Sequence, residues 1–423
     1  MPTENSNSNL MVPNLIVQKY GGATLADPQK IKQVAKRIFD LHKTGSKIVV
    51  IVSAMGETTN QLIALAHQIC DRPSLRELDM LLTAGERISM SLLSIALNDL
   101  GCSAISFTGS QAGILTDNSH VNANIIEVKA FRVEQALNEN KVVILAGFQG
   151  VAQSSKEITT LGRGGSDISA VAMAAYLKAH RCEILKDVTS IFTADPKLVE
   201  SAQPIPQLNY QHLIEMTTWG AKVLHHRSVQ LAAEKQVNLF VGAANTTTAD
   251  PNGTLITSHI QFDHQFMLAI NSFAHLYEIC FINENNSEYP NTKDDFPSYL
   301  QKNQIGQLQL LHSSSQQQKS KYYYTAPIEI LNSLRDFEKQ QNYFKITNQE
   351  LSSISATFAL PIEEKNMTQL IELLTKNDIE LIDSFKIKNS AHFLVKQQQK
   401  NKAIQILHAF VLQDSSLTKS GLT

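Results

Sequence analysis

Two segments of the chain place a basic side chain beside a run of glycines, an arrangement that suits an anion. The first, KYGG at residues 19–22, directly follows a short apolar run. Glycines at the end of a strand let backbone N–H groups face a phosphate, and Lys19 adds a point charge. The pattern is not the G-x-x-x-x-G-K-[ST] of a P-loop. A tight turn between a strand and a helix would explain the same residues without any ligand.

The second segment, GRGGSD at residues 162–167, opens an alanine-rich run with helical composition. A helix start presents free N–H groups and the positive end of the helix dipole, so the three glycines would form a cradle for an anion. Ser166 or Asp167 is expected to cap this helix. An ordinary glycine-rich loop would account for the capping residues, but it gives no reason for Arg163 among the glycines.

Two further segments carry candidate binding residues, and the first of them suits a nucleotide pocket at the sheet edge. KDV at residues 186–188 ends a predicted strand and precedes FTADPK at residues 192–197. A plain strand, turn and strand would give the same pattern. WGAK at residues 219–222 places Lys222 in the first turns of a predicted helix, where a solvated surface lysine is the simpler interpretation. The two adjacent histidines that follow would point about 100° apart on a helix, so no metal site is expected.

The elements that must position these segments alternate between strand and helix over the first 258 residues. This order predicts a parallel sheet with helices on both faces, in which ligands bind beyond the carboxyl ends of the strands. The predicted strands are 15–20, 47–53, 104–107, 142–146, 183–185 and 191–192, and the predicted helices are 28–42, 59–70, 75–100, 167–179 and 224–235.

Composition and charge limit the functional classes. The chain has 423 residues, enough for about three domains. Lys and Arg total 37 against 39 Asp and Glu, so a basic surface for nucleic acid is not expected. The four cysteines are scattered without a C-x-x-C pair, which suits a reducing compartment.

The sequence contains no run of about 18 apolar residues, so no membrane span is expected. Residues 1–13 are expected to be a disordered cytoplasmic tail.

The distribution of glycine places a boundary near residues 253–259, because 16 of the 18 glycines lie in residues 1–258. Beyond it, residues 352–411 predict a small α+β unit in the order strand, helix, strand, strand, helix. A weaker counterpart is expected from residue 266 onward. Residues 259–423 contain only Gly306 and Gly421, so tight loops that hold a small ligand through backbone N–H groups are not expected there.

Together with three other motifs, these segments resemble the aspartate kinases of the amino acid kinase family. The resemblance covers about residues 15–253, and the remainder looks like a much eroded pair of ACT domains. It implies a tail (1–13), a catalytic α/β sandwich (14–258) and two ACT-like α+β regions (259–350 and 351–423). The motifs are KYGGATL (19–25), VSAMGETTN (52–60), TAGE (83–86), GFQG (147–150), TTLGRGGSD (159–167), FTADPK (192–197) and WGAKVLH (219–225).

The resemblance also implies roles for single residues. Lys19 and Lys222 would neutralise the transferring phosphoryl group, and Asp167 would orient them. Backbone N–H groups of Gly21 and Gly22 would face the phosphates. The residues implied to line the aspartate site, with Arg163 on the α-carboxylate and Glu86 on the ammonium, are Ser53, Thr59, Glu86, Phe148, Arg163 and Ser166. The residues implied to flank the nucleotide are Asp187, Phe192 and Lys197.

The implied reaction moves the γ-phosphoryl group of ATP to the side-chain carboxylate of L-aspartate, giving 4-phospho-L-aspartate at the start of lysine, threonine and methionine synthesis. That carboxylate is already ionised at pH 7, so no general base is needed. Lysines, N–H groups and Mg²⁺ carried by the nucleotide would bring the two anions together. ACT-like units usually pair, so a cytoplasmic homodimer through the C-terminal part is expected.

Some residues depart from the family's pattern. Ala23 replaces a hydroxyl, Lys186 replaces a threonine, and His226 replaces a proline. Since the core charges remain, an active enzyme is favoured. One alternative is another amino acid kinase acting on glutamate, acetylglutamate, carbamate or UMP, which VSAMGETTN and TAGE argue against. The other is a metabolite-sensing protein that kept the fold without catalysis. The retained lysines and aspartate argue against it, and the altered Ala23 and Lys186 argue for it.

Overall fold

The computed structural model describes residues 14–245, 252–281, 309–316, 319–325, 334–336, 338–339, 344–347 and 350–413. The predicted tail, residues 1–13, lies outside them. Two compact units make up the chain. The first contains the residues up to Ile191 together with Pro204–Ile214 and Val223–Gln261. The second contains Phe192–Gln203, Glu215–Lys222 and the chain from Phe262 onward.

The elements up to residue 256 alternate largely as the sequence predicts. The helices are α1 (Pro28–His42), α2 (Thr58–Ile69), α3 (Leu75–Asp99), α4 (Phe131–Asn138), α5 (Gly165–Tyr176), α6 (Tyr210–Thr218) and α7 (His226–Lys235), with a 3₁₀ turn at Gly22–Leu25. The strands are β1 (Leu15–Tyr20), β2 (Lys47–Val52), β3 (Ala104–Phe107), β4 (Ile114–Thr116), β5 (Ile125–Val128), β6 (Val142–Ala146), β7 (Gln149–Ala152), β8 (Ile158–Thr160), β9 (Arg181–Lys186), β10 (Ile191–Phe192), β11 (Pro204–Ile205), β12 (Gln207–Leu208), β13 (Leu239–Ala243) and β14 (Gly253–Ile256).

The main sheet of the first unit has the strand order β12-β14-β13-β9-β1-β2-β6-β3. Its central strands are parallel, which confirms the predicted α/β class. The chain passes from β1 to β2 on one side and later returns to β9 on the other. The crevice beyond the carboxyl ends of β1 and β9 is therefore the switch point at which ligands bind in such sheets.

Local sequence explains the elements around this crevice. In β2 every residue after Lys47 is buried, as a β-branched run suits a strand covered on both faces. Asp27 caps helix α1 from the position before it, because its carboxylate accepts a hydrogen bond from Lys30 N at 2.9 Å, and Pro28 occupies the first turn.

Helix α3 is the one helix among the described residues that is long and apolar enough to cross a membrane, judged by length and composition alone. Half of its most apolar 18-residue window is buried inside the protein. The helix packs against α1, β3 and β6, so it is a core helix of the first unit.

A second, four-stranded sheet with the order β5-β4-β7-β8 was not predicted from the sequence. Its strands are three or four residues long, too short for an alternating pattern to stand out. Strand β8 leads directly into the GRGGSD loop, so this sheet positions one wall of the candidate site.

The second unit is built on a seven-stranded sheet in which β16-β17-β15-β19-β21-β20 are neighbours and β18 pairs with β15. The predicted order of strand, helix, strand, strand, helix is confirmed as β19, α8, β20, β21 and α9. The elements are β15 (Met267–Phe281), β16 (Gln309–Gln316), β17 (Lys319–Thr325), β18 (Phe344–Ile346), β19 (Leu351–Phe358), α8 (Glu364–Lys376), β20 (Leu381–Ile387), β21 (Ser390–Lys396), a 3₁₀ turn at Gln397–Gln399, and α9 (Lys400–Gln413).

The core of the second unit includes part of the FTADPK segment. Ala194 of this segment, and Val199 just after it, are buried in the same apolar cluster as Ile354 of β19. Thr193 Oγ1 lies 2.8 Å from His408 Nε2 of α9, and Thr193 O accepts a hydrogen bond from Ile270 N at 2.7 Å. This segment is therefore held by the second unit's own packing and hydrogen bonds.

Replacing Ile354 by alanine should lower the free energy of unfolding by about 2–5 kcal/mol, because it leaves a cavity in this cluster. The matched control is Ile387→Ala in β20, since Ile387 is 42% exposed and Ile354 is fully buried. The control should change the free energy by about 0.5 kcal/mol or less. Urea denaturation followed by circular dichroism measures both, and equal effects would contradict the packing described.

Candidate active site

The centre of the candidate site is a buried ion pair between β1 and the start of α5. Lys19 Nζ lies 2.7 Å from Asp167 Oδ1, and the two residues are only 6% and 4% exposed. Burial alone would raise the pKa of Asp167, but the charges of Lys19 and Lys186 oppose it and leave that pKa below its usual value. The carboxylate is therefore held ionised among lysines.

The start of α5 differs from the sequence prediction. Neither Ser166 nor Asp167 caps the helix, so that prediction is wrong. The N-cap is Gly164, which adopts a left-handed conformation with φ of +73°. A Cβ at this position would lie 2.3 Å from His225 Cβ, so only glycine fits there. Asp167 thus falls inside the first turn, where its carboxylate meets Lys19 instead of the helix backbone.

A second lysine flanks the same carboxylate. Lys186 Nζ lies 4.0 Å from Asp167 Oδ2 and donates a hydrogen bond to Val223 O. Burial lowers the pKa of Lys186, an effect that Asp167 opposes and Lys19 reinforces. The sequence analysis placed Lys186 in a segment that suits a nucleotide pocket and marked it as a departure from the family's pattern. Its place on Asp167 was not predicted, because no local pattern reports a contact between the end of β9 and the start of α5.

The two glycines after β1 lie at the carboxyl end of the sheet beside the loop that follows β2. Gly21 N donates to Leu185 O across 3.4 Å, a distance longer than a typical hydrogen bond. Gly22 O accepts from Gly56 N at 3.0 Å, and Ser53 N donates to Tyr20 O at 3.2 Å. These bonds bring the KYGG and VSAMGETTN motifs together, with Ser53 half-buried at the start of the second loop.

Glu86 is the other buried acid near this loop. It lies on α3, and its Oε1 accepts a hydrogen bond from Ala54 N at 3.1 Å. Within the described part of the chain its Oε2 is buried without a hydrogen-bond partner. Burial raises the pKa of Glu86 to about 7, although the Ala54 hydrogen bond acts in the opposite direction. One carboxylate oxygen is therefore left for a cationic or hydrogen-bonding ligand.

The remaining predicted aspartate-site residues lie on several elements of the first unit. Phe148 joins β6 to β7 with φ of +68°, and its N–H donates to Ser169 Oγ at 3.1 Å. Ser166 is buried in α5, Arg163 is exposed on the GRGGSD loop, and Thr59 is half-buried on α2. Among the described residues Arg163 forms no ion pair, so its guanidinium is available to a ligand.

Asp79 is a positioning residue that the sequence analysis missed. It is fully buried on α3, and its carboxylate accepts hydrogen bonds from Thr160 Oγ1 at 2.5 Å and Val121 N at 3.0 Å. His120 Nδ1 lies 2.7 Å from its other oxygen. Thr160 ends β8, so Asp79 fixes the strand from which the GRGGSD loop starts. The only sequence signal for it is an aspartate at a position that the helical period places on the buried face of α3.

The predicted nucleotide residues are divided between the two units. Asp187 is exposed directly after β9 in the first unit, whereas Phe192, Lys197 and Lys222 belong to the second. The prediction that Lys222 lies in the first turns of a helix is wrong. Helix α6 ends at Thr218 and α7 begins at His226. Gly220, with φ of +108°, prevents α6 from continuing, and Lys222 lies in the segment between the two helices.

Comparison with known proteins agrees with the site's motifs. The family model described as "Amino acid kinase family" matches residues 14–243. The aspartokinase of Mycobacterium tuberculosis strain H37Rv is 50% identical over 247 residues, which are 58% of this chain and 58% of that protein. The match thus spans little more than half the length of that relative. The aspartokinase of Bacillus sp. strain MGA3 is 36% identical over 415 residues, covering 95% of this chain and 98% of the relative.

Among solved structures, E. coli aspartokinase III in complex with aspartate and ADP has a TM-score of 0.75. The alignment covers 94% of this chain and all of that chain at 20% identity, so the likeness concerns the fold. The family match over residues 14–243 and the nearly full-length Bacillus relative lead to one conclusion: the chain belongs to the amino acid kinase family and, within it, to the aspartokinases.

Proposed function

We propose that this protein is an aspartate kinase that transfers the γ-phosphoryl group of ATP to the side-chain carboxylate of L-aspartate. The observation that carries the proposal is the buried Lys19–Asp167 pair beyond the end of β1. An ammonium held by an ionised carboxylate at a sheet switch point is suited to a phosphate. It is also already in place when charge develops on the transferring group.

The chemistry needs positioning more than acid–base catalysis. An oxygen of the aspartate side chain attacks the γ-phosphorus, and the bond from that phosphorus to the bridging oxygen of ADP breaks. The attacking carboxylate is ionised at pH 7 and has no proton to lose. What must be overcome is the repulsion between two anions, which Lys19, the N–H groups of Gly21 and Gly22, and the Mg²⁺ that arrives with ATP would reduce.

Recognition of aspartate would depend on charges at its backbone end. The unpartnered oxygen of Glu86 would accept from the substrate ammonium. Arg163, exposed and without an ion pair among the described residues, would bind the α-carboxylate through both of its N–H arms. Ser53, Thr59, Phe148 and Ser166 would complete the walls.

Several finer assignments follow from the resemblance. Asp187, Phe192 and Lys197 would flank the nucleotide, and Lys222 would act with Lys19 on the phosphoryl group. A catalytic domain over residues 14–258 would be followed by ACT-like regions at 259–350 and 351–423, which would pair to form a homodimer. The product, 4-phospho-L-aspartate, would enter lysine, threonine and methionine synthesis in the cytoplasm.

Purified protein with MgATP, L-aspartate and hydroxylamine should form aspartyl hydroxamate, the trapped form of the acyl phosphate. Lys19→Met should lower kcat on the order of 10²–10³-fold, since one preorganised charge on the phosphoryl group is lost. Lys32→Met, an exposed change on α1, is the control and should leave kcat near the wild-type value. Hydroxamate from another amino acid instead would indicate a different kinase, and nucleotide binding without any hydroxamate would indicate a sensing protein.

The raised pKa of Glu86 predicts a pH dependence for aspartate binding. With a pKa of about 7 the free site holds a proton in acidic solution, whereas an ammonium ligand favours the ionised form. Binding must then release that proton, so affinity should rise by up to about tenfold per pH unit below 7 and level off above it.

Titration calorimetry with L-aspartate between pH 5.5 and 8 measures this dependence. Glu86→Gln should bind more weakly at pH 8 and lose the slope, because glutamine does not titrate. The control is Glu77→Gln on the same helix, whose side chain is 64% exposed, and it should keep the wild-type profile. A flat wild-type profile, or a slope retained in Glu86→Gln, would contradict the role of Glu86.

A further inference from the structure

We propose that Lys186 belongs to the phosphate site, where its ammonium binds the terminal phosphoryl group of the nucleotide beside Lys19. The inference rests on the proposed function in one respect, because it takes a nucleoside triphosphate as the ligand. It adds a third lysine to Lys19 and Lys222, at a position where the resemblance gives a threonine.

The position of Lys186 follows from strand register. Tyr20 of β1 is paired with Leu185 of β9, so Lys186 stands beside Gly21 at the ends of two adjacent parallel strands. That is the switch point of the sheet, where bound ligands lie beyond the strand ends. Its side chain is 21% exposed, so the ammonium is held in the site without being sealed off.

Within the described part of the chain, the ammonium of Lys186 has fewer hydrogen-bond partners than it has donors. A lysine has three N–H donors, and Lys186 gives one to Val223 O. Asp167 Oδ2, at 4.0 Å, is within ion-pair range but beyond hydrogen-bond range. Because the side chain is partly exposed, water can hold the remaining N–H groups until a ligand replaces it. A phosphate oxygen placed between the two lysines would accept the remaining N–H groups.

Charge balance points to the same ligand. Asp167 carries one negative charge and lies beside two lysines. The second acid near Lys186, Asp187, is exposed to solvent, so apart from it the group has an excess of positive charge when both lysines are protonated. The charged groups that face Lys186 are Asp167, Lys19 and Asp187, which follows it in the chain. An incoming polyphosphate supplies the missing negative charge and favours the ammonium form of Lys186.

A purely structural role would also account for one of these contacts. Lys186 would then only tie Val223 to the end of β9, and its loss would weaken folding without a preference among ligands. The two roles differ in what they predict for nucleotides with and without the terminal phosphate.

The test is calorimetric titration with Mg·AMP-PNP and Mg·ADP, a readout that does not need turnover. Lys186→Met should weaken Mg·AMP-PNP binding on the order of 10–150-fold, as expected for one charge-assisted bond, and change Mg·ADP binding much less. Lys186→Arg should recover part of the loss. Lys32→Met removes the same charge from the exposed face of α1 and should affect neither ligand. Kinetics on the same variants should show the defect in the KM for ATP, with the KM for aspartate near the wild-type value.

Equal weakening of both nucleotides by Lys186→Met, or no weakening in a folded variant, would overturn the assignment. Wild-type protein that binds neither nucleotide would overturn it as well. Wild-type protein that binds Mg·AMP-PNP selectively through Lys186 but forms no aspartyl hydroxamate would support this inference while refuting the proposed function.

Discussion

A single buried carboxylate, that of Asp167, holds two lysines at the carboxyl end of the main sheet, and the rest of the candidate site depends on this interaction. Lys19 approaches it from β1 and Lys186 from β9. Burying charges is costly unless they are paired, so such a group is weak evidence for stability and stronger evidence for function. The cost becomes intelligible if the lysines are held ready for a phosphate, since preorganised charge needs no rearrangement during reaction.

The same constraint explains several local features. Gly164 caps α5 without a side-chain hydrogen bond, and Asp167 in the first turn is free to meet the lysines. Asp79 in turn anchors the strand that leads into this loop.

The segments carrying Phe192, Lys197 and Lys222 are part of the second unit, where Thr193 contacts His408 of α9. Changes in the packing of the C-terminal unit would therefore act on segments that the resemblance assigns to the nucleotide and phosphoryl group.

The parallel sheet could be predicted from the sequence, because β2 and β6 are strongly apolar runs between amphipathic helices. The placement of motif residues at strand and helix ends could be predicted as well. The sequence was insufficient where the geometry depends on contacts between residues far apart in the chain. The cap at Gly164 depends on the approach of His225, and the pairing of Lys186 with Asp167 joins residues far apart in sequence. The four-stranded sheet was missed because its strands are too short for a periodic signal. Lys222 was placed on a helix because Gly220 was interpreted as preceding one.

The most direct test of the central interaction is to compare polyanion binding and turnover in Asp167→Asn. If Asp167 orients the lysines, removing its charge leaves two unneutralised ammonium groups. Tripolyphosphate should then bind at least as tightly as to the wild type, while kcat falls about 100-fold or more because the lysines are no longer held in place. Turnover within a few-fold of the wild type, or polyphosphate affinity that falls together with turnover, would contradict the account.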